Sequence, residues 1–193
     1  MRKLIVSEFI SLDGVMQAPG GSEEDTEGGF KHGGWTRPYW HDAIGDAFGA
    51  LMQDVDAFLL GRKTYLIHGN AFEPMQPGDP FGDMMNAPAK YVVSKTLAEP
   101  IWRNTTIIRD NVVEAVRKLK AAPGKTIVTD GSHELVHTLF EHDLVDELHL
   151  LLYPLLLGGG KRLLPRAVHA TFRLKQATPY PSGVVGLHYE RAR

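Results

Sequence analysis

The chain has 193 residues, of which 43% are hydrophobic and 23% are charged, as is ordinary for a globular protein. This length predicts a single domain over residues 1–193 with a substantial core. The formal net charge of -2 gives no electrostatic reason to expect nucleic acid or an anionic membrane as a partner, so any phosphate recognition must be local.

The chain contains no cysteine, which excludes disulfides, thiolate zinc sites and a cysteine nucleophile. The apolar run Leu4–Val6 that follows Arg2 and Lys3 is too short for the core of a secretory signal. No apolar run approaches the length of a membrane span. We therefore expect a cytoplasmic protein.

The first predicted strand, Leu4 to Ile10, is apolar and rich in β-formers, and a turn at Ser11–Gly14 ends it. Asp13 lies at the carboxyl end of this strand, where open α/β sheets place their ligands. It is a candidate for orienting a substrate or handling a proton. The alternative is that Asp13 only caps the turn.

Residues 17–37 form a long glycine-rich insertion, and loops of this length are typical of lids, binding loops or disorder. Trp35 and Trp40 could stack on a flat substrate ring or could anchor the loop to the core. A helix is predicted from about Tyr39 to Gln53 by its apolar periodicity.

The stretch from Asp56 to Leu60 predicts a buried strand, followed by Gly61, Arg62, Lys63 and Thr64 and by a short helix over Thr64–Ile67. Glycine permits close approach of a ligand, helix-start amides favour an anion, and arginine suits phosphate. The sequence thus offers a phosphate site, or a turn with solvated cations.

Two later strand ends repeat this combination of hydroxyl groups with either a cation or a glycine. One predicted strand, Lys90–Ser94, ends at Ser94 and is followed by Lys95. A later strand is followed by Gly131 and Ser132, which precede a helix over His133–Glu141. Before Ser94 the sequence predicts a Pro- and Gly-rich excursion over 69–82 and a helical turn at Phe81–Asn86. The remaining predicted elements are strands at Thr105–Ile108, Lys125–Thr129 and Glu147–Tyr153, a helix at Val112–Ala121, and a hairpin of Phe172–Ala177 with Gly183–Glu190.

Strands and helices alternate until the strand-rich end of the chain. This order predicts a three-layer α/β/α fold with a mixed, mostly parallel central sheet and an antiparallel C-terminal hairpin.

Residues 133–137 read H-E-x-x-H, which on a helix can hold zinc with Glu134 as general base. The buried face of that helix predicts that His133 and His137 lie on the solvated side, and no third ligand follows at metzincin spacing. A zinc hydrolase is therefore a remote alternative. The other histidines show no shared ligand spacing, so no metal site is predicted.

The motifs S-L-D-G, G-R-K-T, S-K-T, G-S and L-V-D-E, at residues 11–14, 61–64, 94–96, 131–132 and 144–147, resemble a known family in this order. The chain is similar to bacterial dihydrofolate reductase-like proteins related to the reductase domain of the bifunctional riboflavin-biosynthesis enzyme. It departs from dihydrofolate reductases in the first helix, where neither Asp42 nor Asp46 aligns with their pterin-binding acid.

The resemblance implies a reductase that binds NADPH across the carboxyl ends of the strands, and a homodimer. Residues 61–64 would take the cofactor phosphates, with Arg62 or Lys63 near the 2′-phosphate. Ser94 and Lys95 would lie by the adenosine half, and Gly131 and Ser132 by the pyrophosphate. Independently of the resemblance, the loop that contains Gly158 and Gly160 follows a buried strand and could be an ordinary turn or a substrate wall.

We therefore expect an NADPH-dependent reductase of a small pterin-, pyrimidine- or similar heterocycle. A non-catalytic nucleotide-binding protein on the same fold is the alternative.

Overall fold

The computed structural model of the chain describes residues 1–164 and 167–192, and within them eight strands form one sheet. The elements in chain order are β1 (Leu4–Ser11), α1 (Asp42–Met52), β2 (Val55–Gly61), α2 (Arg62–Phe72), α3 (Pro80–Asn86), β3 (Ala89–Val93), β4 (Thr105–Ile108), α4 (Val112–Ala121), β5 (Thr126–Thr129), α5 (His133–Glu141), β6 (Glu147–Tyr153), β7 (Phe172–Pro179) and β8 (Val185–Arg191).

The strands lie in the order β4-β3-β2-β5-β1-β6-β8-β7. Neighbours from β4 through β6 run parallel, whereas β8 runs antiparallel to both β6 and β7. The predicted mixed sheet with an antiparallel C-terminal hairpin is confirmed. Because β2, β5 and β1 are adjacent and parallel, the residues after each strand meet at one edge of the sheet.

Alternating strand side chains divide between two apolar cores, one on each face of the sheet. Leu4 and Val6 of β1 pack into the core that includes Leu139 of α5. Ile5, between them in sequence, packs into the core that includes Tyr65 of α2 and Met85 of α3. Helices on both faces thus give the predicted three layers.

Two helix boundaries differ from those predicted. The first helix begins at Asp42 rather than Tyr39, because Nδ1 of His41 accepts the amide N–H of Ala43 and caps it there. The second extends over Arg62–Phe72, far beyond the predicted Thr64–Ile67, because Tyr65 and its neighbours bury one face of it on the sheet. The irregular excursion therefore begins only at Glu73.

The glycine-rich segment between β1 and α1 is anchored to the core through Trp35. The Trp35 side chain is 6% exposed, and its Nε1–H donates to the carbonyl of Gln17 at 2.8 Å. Its ring meets Tyr153 edge-on with centroids 5.2 Å apart. Among the described residues, no helix has the length and apolar character needed to span a bilayer.

Candidate functional site

A cavity of about 630 Å³ opens at the sheet edge where β2 and β5 end. This volume falls within the range of about 300–1,000 Å³ typical of small-molecule pockets. Its lining includes all four residues of the 61–64 stretch, together with Gly131 and Ser132. The structure therefore brings two of the three predicted strand-end groups into one cavity.

The ends of β2 and β5 are joined directly by a hydrogen bond. The amide N–H of Gly61 donates to Oγ of Ser132 at 2.9 Å. Gly131 has a φ of +56°, and a Cβ built on it would lie 3.1 Å from two side-chain atoms of Thr64. A glycine is thus needed at 131 both for its conformation and for the close approach of the two helix starts.

Neither helix start at this junction receives a side-chain cap from its own N-cap residue, Gly61 for α2 and Ser132 for α5. The first amides of a helix lack intrahelical acceptors, and the helix dipole makes this end positive. Arg62, at the first position of α2, makes no side-chain hydrogen bond or ion pair with any described residue. These groups together are suited to a bound anion.

Lys63 differs from Arg62 because acidic residues of the glycine-rich segment already pair with it. Its Nζ donates to Oδ1 of Asp25 at 2.8 Å and to Oε2 of Glu27 at 3.0 Å. Lys161 donates to the same two carboxylates, at 2.8 and 2.6 Å. Burial raises the pKa of Asp25, but the two lysines outweigh it and lower that pKa to about 2. The four charges close one side of the cavity.

A group of buried and half-buried polar side chains on the cavity wall is marked by no sequence motif. Glu8 of β1 is 5% exposed, and its Oε1 has no hydrogen-bond partner among the described residues. Burial, and then the nearby charge of Asp130, raise the pKa of Glu8 well above its usual value. Burial also raises the pKa of Asp130, whose Oδ2 lies 3.9 Å from Nε2 of His68. The one sequence signal for Glu8 is that it is the charged residue of a predicted buried strand.

Asp13 lies outside the lining of this cavity and connects the turn after β1 to the loop after β6 by hydrogen bonds. It accepts the hydroxyl of Ser11 at 2.6 Å and the amides of Leu157 and Gly158 at 3.1 and 2.9 Å. The Ser11 hydroxyl, followed by the two amides, lowers the pKa of Asp13 to about 2. At neutral pH Asp13 is therefore an ionised acceptor, and its role in handling a proton stays a prediction.

The other predicted site residues also lie outside the cavity lining. The Ser94 hydroxyl accepts the amides of Thr96 and Leu97, and Lys95 is exposed, although Val93 just before them does line the cavity. The structure buries Trp35, leaves Trp40 59% exposed, and holds Gly158 and Gly160 in the loop after β6. Their substrate contacts stay predictions that these positions do not support.

The expectation that His133 and His137 lie on the solvated side of α5 is met in part, because both are partly exposed. Their rings are 4.2 Å apart, and the carbonyl oxygen of Arg162, in the loop after β6, lies 3.0 Å from Nε2 of His137. His133 lines the cavity. Within the described residues, however, the pair belongs to no group of three metal-ligating side chains.

The fold is shared with proteins of known structure. Dihydrofolate reductase from Enterococcus faecalis, complexed with NADP(H) and RAB-propyl, superposes with a TM-score of 0.65 at 13% identity over 99% of this chain and 97% of that chain. The Thermotoga maritima diaminohydroxyphosphoribosylaminopyrimidine deaminase/5-amino-6-(5-phosphoribosylamino)uracil reductase gives 0.64 at 11% identity over 99% of this chain and 57% of that one. These likenesses show a dihydrofolate reductase-like fold.

Sequence comparison extends over almost the whole chain. Uncharacterized protein YyaP of Bacillus subtilis (strain 168) is 28% identical, with 97% of this chain and 94% of that protein covered. The family model described as the RibD C-terminal domain matches residues 2–186. The resemblance inferred from the motifs is thereby confirmed, and the chain belongs to the RibD C-terminal domain family.

Proposed function

We propose that the protein is an NADPH-dependent reductase that acts by hydride transfer on a small pterin-, pyrimidine- or similar heterocycle. The observation that carries this proposal is the junction of β2 and β5, where one cavity is lined by two helix starts without a side-chain cap and by Arg62, which has no partner in the described part of the chain. Membership of the family and the folds of the two reductases support the same reading.

The residues at the junction fit a dinucleotide with an additional phosphate. The pyrophosphate would be held at the point where the two helix starts converge, by Gly61, Thr64, Gly131 and Ser132. Arg62 would take the 2′-phosphate, since its planar guanidinium can bond two phosphate oxygens at once. Val93 lines the cavity, so an adenosine half extending past it would reach the predicted Ser94 and Lys95.

Bound NADPH would supply the hydride, and the protein would supply the binding, the orientation and a proton. Glu8 is our candidate for the proton, because a buried carboxyl group with a raised pKa stays protonated at higher pH than an exposed one. Its unpartnered Oε1 leaves one oxygen available to a substrate atom. Asp130 would keep the proton on Glu8 by disfavouring its ionised form.

Calorimetric titration of the purified chain with NADPH and with NADH tests the cofactor. We expect NADPH to bind more tightly, and Arg62→Ala to remove at least about tenfold of that preference, which is about 1.4 kcal/mol. Lys63→Ala is the matched comparison, because that lysine is already neutralised by Asp25 and Glu27. The proposal is ruled out if the chain binds neither nucleotide. It is also ruled out if NADPH and NADH bind with equal affinity and the double variant Arg62→Ala plus Lys63→Ala leaves that affinity unchanged.

Oxidation of NADPH over a panel of pterins, pyrimidines and quinones tests catalysis separately. Turnover of one compound establishes a reductase and identifies its substrate class. Nucleotide binding without turnover of any compound would instead favour the non-catalytic binding protein.

We further propose that the protein is cytoplasmic, on the basis of its cysteine-free composition. We also propose that it forms a homodimer, on the basis of its family resemblance. Multi-angle light scattering measures the second directly. A mass of one chain, 21.4 kDa, at working concentration contradicts the dimer.

A further inference from the structure

A second cavity, of about 360 Å³, lies between α1 and the side of the sheet formed by β6 and β8. His149 of β6 and His188 of β8 line it, and the antiparallel register places these two residues directly opposite each other. Glu147 precedes His149 by two residues, so both side chains project from the same face of the sheet. No sequence motif marks this cluster, because the two histidines are 39 residues apart and only the strand register brings them together.

The three side chains converge on one point. Oε2 of Glu147 lies 3.2 Å from Nε2 of His149 and 3.0 Å from Nε2 of His188. The ring centroids of the two histidines are 4.1 Å apart, and the ligand atoms all lie within 4.8 Å of one another. Bonds of about 2.0–2.2 Å to Zn²⁺ put neighbouring tetrahedral ligand atoms roughly 3.3–3.5 Å apart, so small side-chain shifts would admit the ion.

We propose that Glu147, His149 and His188 form a binding site for a divalent cation of the zinc class, with a fourth coordination position for water or a ligand. Two imidazoles and one carboxylate are a donor set that Zn²⁺ uses in proteins with an open position. Among the described residues, this is the one group of three such ligands that the fold assembles.

The surroundings of Glu147 suit a metal ligand. Its side chain is only 6% exposed, and Nζ of Lys3 donates to Oε1 at 2.5 Å, which holds the carboxylate and leaves Oε2 directed at the histidines. Hydrogen bonds of this kind orient ligands at metal sites. The ligands also lie on strands rather than on loops, which fixes their spacing.

The site adjoins the candidate active site. The two cavities share the lining residues Ser7, Glu8, Phe9 and Phe48. A ligand on the fourth position of the ion would therefore lie in a space bordered by the same segment of β1. This proposal stands on the cluster alone and does not depend on the binding of NADPH.

The competing explanation is a metal-free cluster in which both imidazoles donate to the buried carboxylate. Titration of the full-length, untagged, EDTA-treated chain with Co²⁺ separates the two, because tetrahedral Co²⁺ has an intense visible spectrum. Calorimetry with Zn²⁺ then gives the stoichiometry. We expect one equivalent of each ion, and weaker binding by at least about tenfold in both His149→Gln and His188→Gln, since even loss of a group that only supports a ligand costs about 10–100-fold.

The matched control is the double variant His133→Gln plus His137→Gln, which removes the other close histidine pair. We expect its Co²⁺ spectrum and its stoichiometry to equal those of the unmodified chain. Absence of stoichiometric binding by the unmodified chain overturns the proposal, as does loss of binding in this control with retention in the other two variants. The unmodified chain and the control decide the question even if a substitution at 149 or 188 prevents folding.

Discussion

The amide of Gly61 and the hydroxyl of Ser132 meet at 2.9 Å and connect two segments separated by 71 residues in the chain. Gly61 ends β2 and Ser132 precedes α5, so this hydrogen bond sets the distance between the two helix starts in the cavity. Ser132 is the N-cap residue of α5, but its hydroxyl accepts the amide of Gly61, the N-cap residue of α2, and no amide of α5.

Ser132→Ala should weaken the binding of NADPH by roughly tenfold and destabilise the fold by about 1–3 kcal/mol, because the Gly61 amide loses its buried partner. Ser11→Ala is the control, since the Ser11 hydroxyl also accepts a backbone amide, that of Val15, but lies outside the cavity lining. Calorimetry and urea unfolding measure the two effects. An equal loss of NADPH affinity in both variants would show that the loss reflects general destabilisation and not the junction of Gly61 with Ser132.

Gly131→Ala should cost about 1–2 kcal/mol from its left-handed backbone alone, with a further cost from crowding against Thr64. Nucleotide affinity should fall with it, since the two helix starts must separate. Gly49→Ala provides the opposite case, because Gly49 lies within α1 with nothing within 4 Å of an added Cβ. That substitution should stabilise the chain by about 0.5–1 kcal/mol. Matching stabilities for the two variants would contradict the packing described at 131.

Glu8→Gln should lower kcat by roughly 100-fold or more while leaving the Kd for NADPH unchanged, as expected for loss of a proton donor. Glu114→Gln, at an exposed position of α4, should leave both constants unchanged. Steady-state kinetics with the substrate found in the panel provides the measurement. A Glu8→Gln enzyme with full kcat removes Glu8 from the proposed chemistry.

Glu8 should also leave a signature in the pH dependence of stability. Its folded pKa is raised above the usual value of 4.5, so the folded chain holds a proton that the unfolded chain releases. The free energy of unfolding of the unmodified chain should therefore fall as pH rises from about 4.5 towards the folded pKa. Glu8→Gln should lack this part of the slope, and an unchanged slope in urea unfolding at several pH values would contradict the assignment.

Asp13 should stabilise the fold in the opposite pH range. Its folded pKa of about 2 lies below the usual 3.8, so its contribution is fully present above about pH 4 and disappears as pH falls towards 2. Asp13→Asn should cost about 1–3 kcal/mol at neutral pH, since the acceptor of two backbone amides loses its charge. Asp110→Asn, at an exposed position, should cost little. Equal unfolding free energies for the two variants would show that Asp13 does not hold the loop.

Most strands and the helices Val112–Ala121 and His133–Glu141 could be predicted because apolar periodicity and turn residues define them locally. The 61–64 stretch and Gly131–Ser132 were also locally visible, since each follows a buried strand. The pairing of Lys63 with Asp25 and Glu27 was not, because it depends on the path of an irregular segment. Likewise, the strand pattern around Glu8 shows that it lies in β1. It gives no information on the neighbouring Asp130, which follows β5.

The sheet order has a consequence for synthesis of the chain on the ribosome. β1 is made first, yet its neighbours in the sheet are β5 and β6, which span residues 126–153. Until those residues leave the ribosome, β1 has no strand to pair with, and its apolar side chains stay unburied. Pairings between such distant segments form slowly and expose the chain to aggregation in the meantime. Nascent chains from which β5 and β6 have not yet emerged should therefore depend on chaperones to protect β1.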